Sequence, residues 1–218
     1  GFAADWLESM LKKGHSFNEA LQSFVSHVIE EHSAVIFNGD GYSEAWHKEA
    51  VRRGLPDLRN TPEAMPELVK PEVIDLFERM HIMNRDELRA REEIYLGQYS
   101  KTIHTEAVLC VRMARTDIYP SGLRYQKELA DTCVSLKNLN KDYRITADLR
   151  SLQTAADELE KLVEKAERFQ GIPEKARNYC DSVLPAMDRL REAADRLETE
   201  VPGDLWSLPT YQEILFSK

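Results

Sequence analysis

The chain of 218 residues contains 42% hydrophobic and 31% charged residues, and its formal net charge at pH 7 is −9. This hydrophobic content is enough for one large folded domain or two small ones. Because acidic and basic residues are interspersed, we do not expect nucleic acid or an anionic membrane as the main partner. No apolar run approaches the roughly 20 residues that span a bilayer, and no targeting segment is recognisable, so we expect a cytoplasmic protein.

Short helices and one distinctive turn are predicted over residues 1–83. Ser16 followed by Glu19 forms a capping box, and Thr61 with Pro62 predicts a cap followed by proline at the first helical position. The chain begins with Gly1 and its first helix lacks a capping residue, so we expect a fragment of a longer protein. The predicted helices cover residues 2–13, 16–32, 43–54, 61–68 and 70–80.

One long helix is predicted from Asp86 to Tyr119, with Asn84 and Glu87 as its capping pair. Its apolar residues recur at steps of three and four, which predicts a stripe that faces other helices. Pro120-Ser121-Gly122 then predicts a kink or a break, because proline removes a backbone hydrogen bond and clashes with the preceding turn. Residues 123–139 are expected to continue as helix. The stripe consists of Leu96, Tyr99, Ile103, Ala107, Cys110, Ala114 and Ile118.

Two heptad stripes dominate the last third of the sequence. Gly171-Ile172-Pro173 separates them. Because glycine is common at the end of a helix and proline at the first position of the next, we predict an antiparallel hairpin over residues 148–201. Pro185 should bend the return helix. Packing of the two stripes against each other would bury the apolar side chains of both, although such a hairpin can also bind a partner helix. The stripes are Leu152, Ala155, Leu159, Leu162, Ala166 and Phe169, followed by Cys180, Val183, Met187, Leu190, Ala194, Leu197 and Val201.

The predicted fold class is all-α, a multi-helix bundle with a long central helix and an antiparallel, heptad-type helical hairpin. We divide the chain into residues 1–83 and residues 84–218, which together form one structural unit. The second part contains the hairpin and a tail over residues 204–218. Because this tail is densely apolar, we expect it to dock on the body or on a neighbouring subunit.

The turn at Asn38-Gly39-Asp40-Gly41 has two ligand-binding interpretations. Its glycines suggest a phosphate loop, but the third glycine and the lysine of the known phosphate motifs are missing. Asn38, Asp40 and Glu49 match positions one, three and twelve of a calcium loop, but position six is serine where that loop requires glycine. The favoured interpretation is a self-bonded structural turn that holds two helices apart.

Other candidate groups are scattered along the predicted helices. His27 and His32 are five residues apart, which is out of register for a shared metal on one helix. The acidic pairs Glu92-Glu93 and Asp157-Glu158 have the spacing of solvated helix faces rather than of acid–base dyads. The widely spaced cysteines lack a Cys-x-x-Cys pair, which favours small core residues over a disulfide framework or a zinc site. They are Cys110, Cys133 and Cys180.

Three arginines flank the predicted interruption of the long helix. Arg112, Arg115 and Arg124 suggest an anion-binding site, although arginines on helices more often pair with nearby acidic residues. Since none of these patterns supplies a self-sufficient active site, we predict no catalytic, cofactor-binding or metal-binding residue in this chain.

Four stretches of the sequence are not explained by helix periodicity. They are IFNGDGYSEAWHKEAVRRGLPDLRNTPEAMP (36–66), EEIYLGQYSKTIHTEA (92–107), LRYQKELA (123–130) and DLWSLPTYQEILF (204–216). In matching order and over nearly the whole chain, these stretches resemble the C-terminal region of type III glutamine synthetases.

The resemblance implies a parent enzyme that makes glutamine from glutamate, ammonia and ATP with magnesium or manganese, through a γ-glutamyl phosphate. It also implies that residues 1–83 follow a catalytic core, and that the partners are this core and the neighbouring subunits of a double-ring dodecamer. The catalytic motifs of the family have no counterpart in this sequence. We therefore expect a non-catalytic structural or subunit-contact role, with no cofactor in this fragment. The alternative is a free-standing helical protein-interaction module.

Overall fold

Every regular element in the described part of the chain is helical, which confirms the all-α prediction. The computed structural model describes residues 1–136 and 144–216. Two compact units are formed, Gly1–Arg59 and Asn60–Lys218; the division expected after residue 83 stays a prediction. None of the described helices is long and apolar enough to cross a membrane. The α-helices are α1 (Phe2–Lys12), α2 (Phe17–Glu31), α3 (Glu44–Arg52), α4 (Thr61–Leu68), α5 (Pro71–Arg79), α6 (Arg85–Met113), α7 (Tyr119–Leu136), α8 (Arg144–Glu167), α9 (Ile172–Asn178), α10 (Leu184–Glu200) and α11 (Tyr211–Phe216).

The first unit begins with two helices that pack through aromatic rings. Trp6 of α1 stacks on His27 of α2 with ring centroids 4.6 Å apart, and Phe24 lies against Trp6 at a tilted angle. The predicted capping box starts α2: Ser16 Oγ accepts from the Glu19 N–H at 3.3 Å, and the Glu19 carboxylate accepts from the Ser16 N–H at 2.8 Å. Two backbone donors of the first turn are satisfied in this way.

One face of α2 carries four apolar side chains that remain largely exposed. They follow every fourth position, so they align along one side of the helix. Their exposed fractions lie between 40% and 55%, whereas Ala20 of the same helix is fully buried. We call these residues the α2 apolar stripe: Phe17, Leu21, Val25 and Ile29.

Capping by asparagine starts two helices of the second unit. Asn84 Oδ1 accepts from the Glu87 N–H at 2.9 Å, and the Glu87 carboxylate accepts from the Asn84 N–H at 2.8 Å, as predicted for α6. The predicted cap of α4 is wrong by one residue, because Asn60 rather than Thr61 accepts from the Glu63 N–H, at 3.0 Å. An asparagine carbonyl fulfils the same role as a threonine hydroxyl at this position.

Two π-helical segments, each five residues long, interrupt the helices of the second unit just before a proline. Ala114–Ile118 joins α6 to α7, and Tyr179–Val183 joins α9 to α10. Pro120 and Pro185 each stand two residues after such a segment. Because a π turn bonds residue i to i+5, it relaxes the ladder at the point where the proline ring would clash with the carbonyl four residues back. The chain therefore stays helical from Arg85 to Leu136 instead of breaking at Pro120. The last predicted residues of this helix, from 137 onward, lie outside the described residues.

The hairpin of α8 with α9 and α10 encloses the core of the second unit, as its heptads predict. Where a predicted stripe residue is only partly buried, its neighbour in the sequence is buried instead, as with Ala156 beside Ala155. Phe169 was predicted inside but is 36% exposed, because it lies beyond the end of α8, where the chain turns towards α9. The predicted stripe residues that are buried are Leu152, Leu159, Ala166, Val183, Leu190, Leu197 and Val201.

Residues that follow α10 pack against this core. Trp206 is 8% exposed, and Leu205 and Leu208 contact the same cluster of buried side chains. Ser207 Oγ donates to the carbonyl of Asp117 at 3.1 Å, within the first π segment. The segment after α10 is thus tied to the place where the helix ladder is irregular.

Candidate functional site

The turn between α2 and α3 is bonded within itself. Asp40 Oδ1 accepts from the Tyr42 N–H at 2.9 Å, and Ser43 Oγ donates to the carbonyl of Asp40 at 2.6 Å. Ser43 Oγ also accepts from the Trp46 N–H at 3.4 Å, which caps α3 where the sequence predicts it. The aspartate at position three of the calcium pattern is therefore part of the turn's own hydrogen bonding.

Arg53 fixes the segment that leads into this turn. Its Nη1 donates to the carbonyls of Ala34 and Ile36, at 3.2 and 2.7 Å, and its Nε donates to Glu49 at 2.7 Å. The guanidinium carbon also lies 5.7 Å from the centroid of the Trp46 ring, a favourable cation–π arrangement. Because the two carbonyls belong to residues 17 and 19 positions away, no local sequence signal marks this role.

Glu49, the residue at position twelve of the calcium pattern, is bonded to two arginines. Its carboxylate accepts from Arg52 Nε at 2.7 Å and from Arg53 Nε at 2.7 Å. The hydrogen bonds from Arg52 and then Arg53 lower the pKa of Glu49 to about 2. The oxygen atoms that a calcium ion would need are thus held by guanidinium groups.

Acidification should loosen the contact between Arg53 and Glu49, because protonation removes the negative charge of the Glu49 carboxylate. The pKa of Glu49 has its ordinary value of 4.5 in the unfolded chain and is about 2 in the folded chain. Its stabilising effect is therefore complete above about pH 4.5 and is lost as the pH falls towards 2. We expect Trp46 fluorescence to change over this interval in the wild type. The Glu49→Gln variant should show a much smaller change there, with Trp46→Phe as the control for the other tryptophans. Identical acid titrations of wild type and Glu49→Gln would contradict the assignment.

The structure does not bring the other sequence candidates together into a site. His27 stacks on Trp6 and lies 3.2 Å from Glu31, whereas His32 caps the end of α2. Asp157 accepts from Arg115 at 2.7 Å.

Glu158, Arg115 and Arg124 take part in ion pairs or local hydrogen bonds. Glu158 pairs with Arg189 at 2.7 Å, which ties α8 to α10. Arg115 binds Glu160 as well as Asp157, and these two carboxylates raise its pKa above the ordinary value. Arg124 Nε donates to the carbonyl of Pro120 at 3.4 Å. Arg115 is therefore committed to α8 and is not presented to an external anion. The three cysteines are half-buried thiols, none of them in a disulfide.

A groove of about 1170 Å³ lies along α6, beside the end of α8 and the start of α9. Acidic and basic side chains line the same walls, although most of the lining surface is apolar. Its lining includes Glu93, Ile94, Gly97, Lys101, His104 and Lys175.

One wall of this groove is a hydrogen-bonded network around a buried tyrosine. Tyr179 is fully buried, and its hydroxyl donates to Glu167 Oε1 at 2.6 Å. Since that hydroxyl has only one proton, His104 Nδ1, 2.8 Å away, is the donor in the second bond. Lys175 Nζ lies 2.9 Å from the same Glu167 oxygen. Three side chains, from α6, α9 and the second π segment, thus surround the Glu167 carboxylate at the end of α8.

The network explains the direction of two pKa shifts. Burial and then the neighbouring carboxylate of Glu167 raise the pKa of Tyr179. The hydrogen bonds from Tyr179 and then Lys175 lower the pKa of Glu167. Chemically, the arrangement orients His104 so that its Nε2 is the ring nitrogen not used inside the network. The sequence analysis did not identify any residue of this network. The only signal for one of them is that Tyr179 directly precedes Cys180, which was predicted to lie in the apolar stripe.

Metal-binding groups are not assembled in the parts of the chain that the structure describes, since no three His, Cys, Asp or Glu side chains there are grouped to hold an ion. The prediction that this chain has no catalytic, cofactor-binding or metal-binding residue stays a prediction. The geometry defines an all-α helical protein with an exposed apolar face on α2 and an open groove along α6.

Comparison with known sequences shows which helical domain this is. The sequence model of the family described as "Glutamine synthetase C-terminal domain" matches residues 20–137, more than half of the chain. The chain belongs to this family.

Three curated proteins show the same relationship. The chain is similar to the glutamine synthetase of Butyrivibrio fibrisolvens, with 36% identity over 214 residues that cover 94% of this chain. It is 27% identical to the glutamine synthetase of Bacteroides fragilis (strain YCH46) over 97% of its length, and 30% identical to the type-3 glutamine synthetase of Dictyostelium discoideum over 94%. The matched regions span only 31%, 31% and 30% of those proteins, in the same order.

Proposed function

We propose that this chain is the C-terminal domain of a type III glutamine synthetase and that it makes subunit contacts rather than taking part in chemistry. The parent enzyme would act in the cytoplasm and join glutamate to ammonia with ATP and magnesium or manganese. The family membership and the similarity to a type-3 enzyme along 94% of this chain support the parentage. The partners are the parent's own catalytic core and the neighbouring subunits of a dodecamer.

The α2 apolar stripe is the observation that carries the contact role. Its four side chains follow the spacing of anchors by which an amphipathic helix enters an apolar groove. Phe17 is 55% exposed and Ile29 51% exposed, at opposite ends of the helix. Exposed apolar faces of this kind mark interaction surfaces. We therefore assign the stripe to the contact with the catalytic core or a neighbouring subunit.

The alternative, a free-standing module that captures a partner with the 148–201 hairpin, has less support. The apolar seam of the hairpin is filled within the second unit, where Leu152, Leu159 and Leu190 are at most 3% exposed. A partner helix would have to displace α6 or the opposite arm to reach this seam. An exposed face on α2 explains contact with another protein body without opening the core.

Charge placed on the α2 apolar stripe should break assembly without unfolding the domain. In the full-length parent enzyme, Leu21→Asp combined with Val25→Asp should dissociate the oligomer, because two carboxylates would be buried in an apolar contact. In the 218-residue chain the same pair should change the free energy of unfolding by less than about 1 kcal/mol, since both side chains are substantially exposed. Sedimentation velocity and urea unfolding measure the two effects.

The matched control is Gln22→Asp with Ser26→Asp, two exposed positions on another face of α2. This control adds the same charge but should leave the oligomer intact. Equal oligomer distributions for both double variants would rule out the stripe as the contact. Glutamine formation by the isolated chain with glutamate, ammonia, ATP and magnesium would contradict the non-catalytic part of the proposal.

A further inference from the structure

Gly97 lies within α6 at a place where its lack of a side chain has no explanation inside the domain. A Cβ at Gly97 would meet no atom within 4 Å. A Cβ at Gly122, the other glycine of the continuous helix, would lie 2.6 Å from Leu149 Cδ2, so close packing of α7 on α8 explains that glycine. Glycine weakens a helix interior relative to alanine and is suited to the close approach of another backbone. Gly97 thus indicates an approach from outside the domain.

The size of the groove beside Gly97 fits a helix better than a small molecule. Its volume of about 1170 Å³ is above the range of roughly 300–1,000 Å³ that is usual for small-molecule sites. Ile94, one turn before Gly97, is 64% exposed and supplies an apolar anchor. An exposed apolar side chain next to a residue without a side chain is the surface that a closely packed helix requires.

The charges on this face are arranged symmetrically about Gly97. Glu93 lies four residues before it and Lys101 four residues after it, and both are exposed on the groove side. Neither takes part in an ion pair within the described residues. If two identical helices cross antiparallel at Gly97, Glu93 of each copy faces Lys101 of the other. A parallel pair would oppose like charges, so of the two ways in which two copies could pair only the antiparallel one is complementary in charge.

We infer that α6 pairs with α6 of a second copy of this chain in an antiparallel, two-fold symmetric contact centred on Gly97. The two ion pairs fix the register, and Ile94 of each copy lies within one helical turn of Gly97 of the other. This inference rests on the proposed subunit-contact role and names one of its partners. It uses residues of the second unit, whereas the α2 apolar stripe belongs to the first.

Cross-linking tests the symmetry of this contact directly. In the 218-residue chain, Gly97→Cys should form a disulfide between copies under mild oxidation, because a residue on the two-fold axis meets itself within the roughly 4.4–6.8 Å between Cα atoms that a disulfide allows. Arg89→Cys is the matched control on the same helix. Eight residues from the axis at roughly 1.5 Å per residue, its two thiols would be about 24 Å apart and should not react. The unmodified chain controls for the three native cysteines.

Charge reversal tests the register. Glu93→Lys and Lys101→Glu should each weaken dimerisation about tenfold, because each replaces two attractive pairs by two repulsive ones. The double variant should restore the dissociation constant to within about threefold of wild type. Sedimentation equilibrium at low salt measures these constants, since exposed pairs are screened at high salt.

Two outcomes would overturn the inference. One is disulfide formation by Gly97→Cys no greater than by Arg89→Cys. The other is a double charge variant that associates as weakly as the single variants. Either result would leave the α2 stripe experiment unaffected, so failure of this contact is distinguishable from failure of the proposed function. The converse combination is that the Gly97→Cys disulfide forms while Leu21→Asp with Val25→Asp leaves the oligomer intact. That combination would refute only the assignment of the α2 apolar stripe.

Discussion

Replacement of Leu159 by aspartate should destabilise the second unit by about 4 kcal/mol or more. Leu159 is fully buried in α8, inside the cluster that holds the two arms of the hairpin together. The change removes the packing of a leucine side chain and introduces a carboxyl group without a hydrogen-bond partner into an apolar seam. In urea unfolding, the midpoint should move to a much lower concentration with little change in slope.

The control for this experiment is Thr154→Asp on the same helix. Thr154 is exposed, so the same new charge should alter the free energy of unfolding by about 0.5 kcal/mol or less. If Leu159→Asp unfolds at the wild-type urea concentration, the face of α8 that contains Leu159 is not the core face. That result would refute the packing of α8 on α10.

Truncation of Tyr179 to alanine should be nearly as severe, lowering the free energy of unfolding by about 3–5 kcal/mol. The ring is fully buried, and its loss would leave a cavity and remove the hydroxyl that joins Glu167 to His104. Tyr179→Phe separates the two effects, because it keeps the ring and removes only the hydroxyl. We expect Tyr179→Phe to lose about 1–2 kcal/mol, since one of its bonds is to a charged carboxylate.

Tyr42→Ala supplies the comparison for an exposed tyrosine. Tyr42 is 96% exposed, so its replacement should change the stability by about 0.5 kcal/mol or less. Chemical denaturation followed by circular dichroism measures all three variants. A Tyr179→Phe variant as stable as wild type would show that the hydroxyl network contributes nothing. A Tyr179→Ala variant no weaker than Tyr179→Phe would show that the ring is not packed.

Local signals in the sequence were sufficient for most of the fold. The capping pairs Ser16 with Glu19 and Asn84 with Glu87 are bonded as their three-residue spacing predicts. The heptad spacing likewise identified Leu159 and Leu197 as core residues. These features depend on neighbours within one helical turn or on a periodic pattern, which a sequence displays directly. Of the kink or break predicted at Pro120, the break was wrong, because local rules describe the clash of proline but not the π turn that relieves it.

Much less of the candidate sites was predictable. The turn at residues 38–41 was predicted as self-bonded, and the bonds of Asp40 are local ones. Arg53 was missed because it binds carbonyls 17 and 19 residues away. The bond between His104 and Tyr179 joins residues 75 positions apart, and its geometry depends on how α6 packs on the hairpin. Groups of this kind come together only through tertiary packing, so neither composition nor spacing reveals them.

The π segments before Pro120 and Pro185 also set the rotational phase of the helices that follow them. Each segment holds a wider turn than an α-helix does, and one residue of an α-helix corresponds to a rotation of about 100°. The π turn thereby accommodates one extra residue without its rotation, so the same residues in a regular α-helical ladder would turn every side chain of α7 by about that angle. Gly122 would no longer face Leu149, and a bulkier neighbour would meet α8 in its place. The π geometry of these five-residue segments therefore decides which face of the downstream helix reaches the core.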